Sequence, residues 1–104
     1  MKTKIMERLA SDWASNPTNF CQVRAHPDAI PEMNAVKDPH DCAAVRRLAE
    51  SMPEGGEPPQ GWDVLWPEHP NVRALKLRSC PYMIVCAINE EGRFVRLLAC
   101  LPSE

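Results

Sequence analysis

The alternation of apolar and polar positions is clearest between Val72 and Leu101, VRALKLRSCPYMIVCAINEEGRFVRLLACL. Leu75 and Leu77 alternate there with Lys76 and Arg78, the period-two pattern of a strand with one buried face. Tyr82 to Ile88 is apolar at nearly every position, which predicts a central strand covered on both sides. Asn89-Glu90-Glu91-Gly92 interrupts the run, with Gly92 suited to the positive φ of a short hairpin loop, and Phe94 to Leu101 runs back. The stretch therefore predicts a three-stranded antiparallel meander.

Helical periods precede it. Ile5, Leu9 and Trp13 stand four apart with Met6 and Ala10 alongside, which predicts a helix over Lys4–Ser15 closed by Asn16-Pro17. Phe20–Arg24 predicts one short strand, with Phe20 and Gln22 facing opposite to Cys21 and Val23. His26 to Val36 has helical composition, and its least strained start puts Pro31 at the first helical position. Asp38 as cap, Pro39 as first residue and Asp41 in the first turn open the next helix, Asp38–Met52, whose Val45, Leu48, Ala49 and Met52 form one stripe. Pro53 to Asn71 holds five of the eleven prolines and predicts an irregular connection, pinned by Trp62 and Trp66 across the sheet or onto a partner.

Together these elements predict a single α+β domain over residues 1–104, with helices packed on one face of a small antiparallel sheet whose C-terminal part is the meander. The expected core joins Val45, Leu48 and Met52 to Leu75, Leu77, Ile84, Ile88 and Leu97, with Leu9 and Trp13 added from the first helix. At 104 residues and 44% hydrophobic content there is room for one core and little for a second.

Charge adds a second pattern. The formal net charge of -2 argues against a general polyanion binder, yet the meander carries five basic residues (Arg73, Lys76, Arg78, Arg93, Arg96) against Glu90 and Glu91. The remainder of the chain is correspondingly acidic. Arg73, Lys76, Arg78 and Tyr82 thus form the candidate functional surface, in which cations neutralise phosphates and Tyr82 stacks or donates a hydrogen bond. An ordinary solvated sheet face with Tyr82 in the core accounts for the same residues. Lys76 and Arg78 are expected to share one outward face; Arg73 has the opposite parity and joins them only through a twist or bulge.

Other chemistry finds little support. The five cysteines (Cys21, Cys42, Cys80, Cys86, Cys100) form no CxxC pair, and Glu7, Arg8 and Asp12 break up any secretory leader, so reduced thiols in a cytoplasmic compartment are expected. The one tempting metal set, Cys21 and His26 with His40 and Cys42, lacks zinc-ligand spacing. No cysteine is marked as an activated nucleophile, and Gly55-Gly56 is not a phosphate loop, so no metal and no cofactor is expected. No run is long enough to span a membrane.

The order Phe20–Arg24, HPDAIPEM, Asp38–Met52 ending in LAESMPEGG, then HPNVRALKLRSCPYMIVCAINEEGRFVRLLACLP resembles the RelE/ParE toxin superfamily over roughly residues 20–101. That family's small domain runs strand, two helices, then three or four antiparallel strands. The resemblance implies a toxin of a toxin–antitoxin pair, bound by a cognate antitoxin; some such toxins cut mRNA in the ribosome and others poison DNA gyrase. By position, Arg73, Lys76 and Arg78 match the basic residues of the family's arginine-led strand, and Tyr82 its aromatic position opening the next strand. Met1–Ser15 adds a helix the family does not require, and no acid–base pair is evident, so a gyrase-type or non-nucleolytic action is the expectation.

A different class of function also fits: a small phage- or plasmid-type inhibitor or adaptor that binds a host enzyme through its acidic half and the loop of Trp62 and Trp66. A homo-oligomer paired through Phe94–Leu101 as an edge strand is a third reading.

Overall fold

The computed structural model describes residues 2–10, 18–20, 23–34, 39–51, 62–77, 81–89 and 94–102. Its elements are α1 (Lys2–Ala10), β1 (Thr18–Phe20), β2 (Val23–Ala25), α2 (Ala29–Asn34), α3 (Pro39–Ser51), β3 (Asp63–Val64), β4 (Val72–Lys76), β5 (Tyr82–Asn89) and β6 (Phe94–Pro102). The strands form one sheet in the order β1-β2-β6-β5-β4-β3. The chain is α+β, and β4-β5-β6 is the expected antiparallel meander.

Several elements differ from the sequence reading. The single strand expected at Phe20–Arg24 is two, β1 and β2, paired antiparallel with Phe20 opposite Val23. Strands this short show too few alternating positions to be separated by pattern. α2 starts at Ala29, which puts Pro31 third in the helix rather than first. The first four N–H groups of a helix have no intrahelical acceptor, so this proline removes no hydrogen bond. Pro39 opens α3 as expected. The 53–71 connection contains β3 and, after it, two successive turns closed by His69 N–H to Trp66 O (2.9 Å) and Val72 N–H to His69 O (3.1 Å). Each turn has a proline, Pro67 or Pro70, in its second position, where the fixed φ suits it.

The sheet is antiparallel except at one junction, where β2 runs parallel to β6, pairing Arg24 with Arg96 and Ala25 with Leu97. His26 N–H to Leu97 O (2.8 Å) extends this pairing by one bond. Pro27, whose fixed φ suits a turn, follows, and the chain turns away: His26 O accepts from Ala29 N–H (2.9 Å) and Asp28 N–H goes to the His26 ring rather than to β6. β6 therefore lies between β2 and β5. The expectation that Phe94–Leu101 is an edge strand able to pair across a two-fold axis is corrected: β5 pairs along one side of it, and β2 pairs with Arg96 and Leu97 on the other.

Both faces of the sheet are apolar, and helices cover both. On one face Ala29 and Met33 of α2 and Val45 of α3 pack with Trp62, Leu77, Ile84, Cys86, Ile88, Leu97 and Cys100, with Leu75 and Tyr82 partly buried beside them. On the other, Ile5 of α1 packs with Val72, Ala74, Met83, Val85, Ala87, Leu98, Ala99 and Leu101, flanked by Met6, Leu9, Leu65 and Trp66. Val45, Leu75, Leu77, Ile84, Ile88 and Leu97 thus meet as expected. Leu9 belongs to the opposite layer, because α1 is on the far side of the sheet from α2 and α3. Trp13, Met52 and the side chain of Leu48 lie outside the described residues.

A bulge in β6 sets which residues go where. Cys86 pairs with Leu97 but Val85 with Ala99, so Leu98 is an extra residue. Strict alternation would put Leu97 and Ala99 on one face. The extra residue resets the parity, leaving Leu97 and Cys100 toward α2 and α3, and Leu98, Ala99 and Leu101 toward α1.

Candidate functional site

The structure divides the basic residues of the meander between the two faces. On β4, Arg73, Leu75 and Leu77 have one parity, and Val72, Ala74 and Lys76 the other. Lys76 is exposed and points to the α1 side. Arg73 is half-buried on the α2/α3 side, where its Nε donates to Pro70 O at 2.8 Å, fixing it to the turn that precedes its own strand. Tyr82 also faces α2 and α3 and packs on that core, and its carbonyl accepts from Leu77 N–H (2.9 Å) to close the β4–β5 connection. Lys76 is thus separated from Arg73 and Tyr82 by the thickness of the sheet. Arg78 and Arg93 lie outside the described residues.

A basic pair that the sequence pattern did not single out arises at the parallel junction. Arg24 is flanked by buried Val23 and Ala25, and Arg96 by buried Val95 and Leu97, all of them on the α2/α3 side. Arg24 and Arg96 are partners in register, so the two arginines stand side by side on the α1 face, Arg24 exposed and Arg96 half-buried. The strands that align them are about seventy residues apart in sequence, and no local period reports such a pairing.

The strongest polar constellation is at the β6 edge, past the point where β2 stops. Arg8 of α1 and Glu32 of α2 come from opposite faces and meet around this edge in a bidentate pair, Nη1 to Oε1 at 2.8 Å and Nη2 to Oε2 at 2.9 Å. Arg8 Nη1 also donates to Leu98 O (2.9 Å), while Glu32 Oε1 accepts from Cys100 N–H (3.1 Å). The two side chains thus hold backbone groups of the bulge that a longer β2 would have paired. Side-chain exposure of only 11% for Arg8 and 22% for Glu32 makes these bonds stronger than those of an open surface pair.

The electrostatics follow from that geometry. Burial pushes the Glu32 carboxyl up, but hydrogen bonds from Arg8 and Cys100 and the Arg8 charge outweigh it and hold the group below its usual range. Its hydrogen bond to Glu32 raises Arg8 further, against the opposing effect of burial. His26, buried at the start of the turn, accepts Asp28 N–H on Nδ1 (3.1 Å), which leaves its proton on Nε2. Burial lowers its pKa, with the Asp28 carboxylate pulling upward and Arg8 pushing further down. Glu32 accepts on both oxygens from groups of the protein itself, so the cluster works as a clasp between elements rather than as an acid–base pair.

Trp62 and Trp66 separate in the same way as the basic residues. Trp62 is 7% exposed and part of the α2/α3 core, so it pins the connection to the sheet. Trp66 packs at the margin of the α1 layer, with Lys2 Nζ 5.6 Å from its ring centroid and also paired with Glu68. The outward side of α1, formed by Lys2, Thr3, Met6, Glu7 and Ala10, borders an open hollow of about 480 Å³.

Among the described residues no group of His, Cys, Asp or Glu is arranged to hold a metal ion, and no helix is long and apolar enough to cross a membrane. Cys42, Cys86 and Cys100 are in the thiol form, and complete burial pushes Cys86 far above the ordinary thiol range, which removes it as a nucleophile. Cys21 and Cys80 lie outside the described residues. Comparisons with family models, curated proteins and solved structures found no match to this chain.

Proposed function

We propose that this chain is a RelE/ParE-like toxin of a toxin–antitoxin pair, acting in the cytoplasm without cleaving RNA and neutralised by a cognate antitoxin. The observation that carries the reading is the run from β2 to β6: one strand, two helices on the same face, then four antiparallel strands, the element order of the family the sequence resembles. Arg24, Arg96 and Lys76 on the other face supply cations for a nucleic-acid or acidic protein target. The non-nucleolytic form is preferred because Glu32 and His26 are both built into the sheet edge by their hydrogen bonds. The inhibitor reading draws less support, since it relied on Trp62 and Trp66 as anchors and Trp62 is interior.

Regulated expression in a bacterial host tests the proposal. Growth arrest is expected, with loss of DNA supercoiling in place of transcript cleavage. Replacing the exposed Lys76 and Arg24 together by Ala should relieve the arrest at little-changed melting temperature, because exposed charges contribute about 1 kcal/mol or less. Normal growth alongside abundant soluble wild-type protein would sink the toxin reading. Capture of one large host enzyme instead of a small antitoxin would turn it toward the inhibitor.

A further inference from the structure

We propose that His26 is a proton-operated latch between β2 and α2: the neutral ring holds the turn closed by accepting Asp28 N–H, and the protonated ring releases that amide and turns to the Asp28 carboxylate, loosening α2 from β6. The inference stands on the geometry of the turn and is independent of the toxin reading.

His26 is where the chain passes from sheet to helix, and three of its atoms make the join. Its N–H donates the last bond of the β2–β6 pairing to Leu97 O (2.8 Å), its carbonyl accepts from Ala29 N–H (2.9 Å), and its ring Nδ1 accepts from Asp28 N–H (3.1 Å). The first two are backbone bonds and do not titrate. The third exists only while Nδ1 keeps its lone pair, because an imidazolium has two N–H donors and no acceptor. Asp28 also carries the partner for that charged form: its Oδ2 lies 3.8 Å from the same nitrogen, on a side chain 71% exposed that can swing to a charge-assisted bond. One residue thus presents Nδ1 with a donor and an acceptor, and the proton on the ring selects between them.

The surroundings assign the closed turn to the neutral ring. Among the described residues the charged groups acting on His26 are Asp28 of the turn, Glu32 of α2 and Arg8 of α1. The two carboxylates draw a proton toward the ring, while burial and Arg8 oppose it and prevail, holding the group below its ordinary 6.5. As pH falls through that value the closed form stays neutral, and any form with the ring released takes up the proton first and gains population. The element released is small. α2 has six residues, too few to stay helical unsupported, and it carries the Glu32 that accepts Cys100 N–H of β6 and pairs with Arg8. Opening the turn therefore slackens the clasp between the two helical layers.

Hydrogen exchange, read as protection factors so that the intrinsic pH dependence cancels, tests the latch. The informative amides are Ala29, bound to His26 O, and Cys100, bound to Glu32. In the wild type their protection should fall about threefold or more relative to β5 between about pH 7.5 and about pH 5.5, with about tenfold per pH unit as the ceiling for one proton. His26→Asn supplies a side-chain oxygen that accepts an N–H two residues on and does not titrate, so its protection should be independent of pH. Asp28→Asn keeps the amide and removes the carboxylate, and its acid response should shrink. Parallel loss of protection at Ala29, Cys100 and β5 in the wild type would overturn the proposal, and it decides the matter even if His26→Asn fails to fold. An undiminished acid response in a folded His26→Asn variant would overturn it as well. So would ring resonances of His26 that show no protonation in the NMR spectrum down to about pH 4.5, two units below the ordinary value.

Discussion

Against α2 and α3, strands β4 to β6 present Leu77, Ile84, Ile88, Val95 and Leu97, and two helices with Trp62 close over them. Against α1 the same strands present three alanines among their buried positions, and a single nine-residue helix closes over them with one fully buried side chain. The first face is a core in the ordinary sense, held by large interdigitating side chains. On the second, Ile5 with the partly buried Met6, Leu9, Leu65 and Trp66 covers the three alanines together with Val72, Met83, Val85, Leu98 and Leu101, and ion pairs fasten α1 at Lys2 and Arg8. Equal burial on the two faces therefore does not mean equal cohesion: exposure measures what is covered, and stability depends on how much each covering element contributes.

Matched truncations on the two faces sharpen this contrast most. Leu77→Ala should cost about 2–5 kcal/mol in a denaturant titration, the range for emptying a well-packed site. Ile5→Ala removes a comparable volume, yet should cost only about 1–2 kcal/mol if α1 undocks locally, since the loss is then limited to the docking energy of one helix. Equal losses would show that the two faces unfold as one unit.

Glu32→Gln probes the clasp joining the faces. It leaves the largely buried Arg8 guanidinium facing a neutral amide and should cost on the order of 1–3 kcal/mol. It should also change the acid limb of the stability profile. The native Glu32 carboxyl is held below its ordinary value of 4.5, so its contribution is complete above that value and is lost as pH falls through the lower native one. The variant should lack this loss. His26 adds an earlier one in both proteins: its native pKa is lowered from 6.5, so as pH drops below that value the unfolded chain takes up the proton first and stability declines. Chemical denaturation between pH 7 and pH 3, with and without the substitution, separates the two limbs.

The smallest effect is expected at the other end of α1. Lys2→Ala removes an exposed contact with Glu68 and Trp66, which salt and solvent already screen. Its melting curve should overlay that of the wild type, while hydrogen exchange in α1 speeds up slightly.

The sequence by itself determined what local periodicity records: the meander of β4, β5 and β6, the doubly buried Tyr82–Ile88 run, the proline-opened α3, and the partners Val45, Leu77, Ile84, Ile88 and Leu97 of one core. These follow from side chains that repeat every two or 3.6 residues along one element, a signal each segment carries alone. Only the tertiary structure decided the rest. That α1 covers the opposite face from α2 and α3 depends on how the chain wraps the sheet. Arg24 stands beside Arg96 because two distant strands pair parallel, and the Leu98 bulge moves Ala99 to the other face in a strand that reads as continuous. Lys76 parts from Tyr82 because the register between β4 and β5 puts them on opposite sides. The Arg8–Glu32 clasp depends on the turn at His26–Ala29 ending β2 early, which leaves the backbone of β6 to be satisfied by side chains from two helices that no sequence period connects.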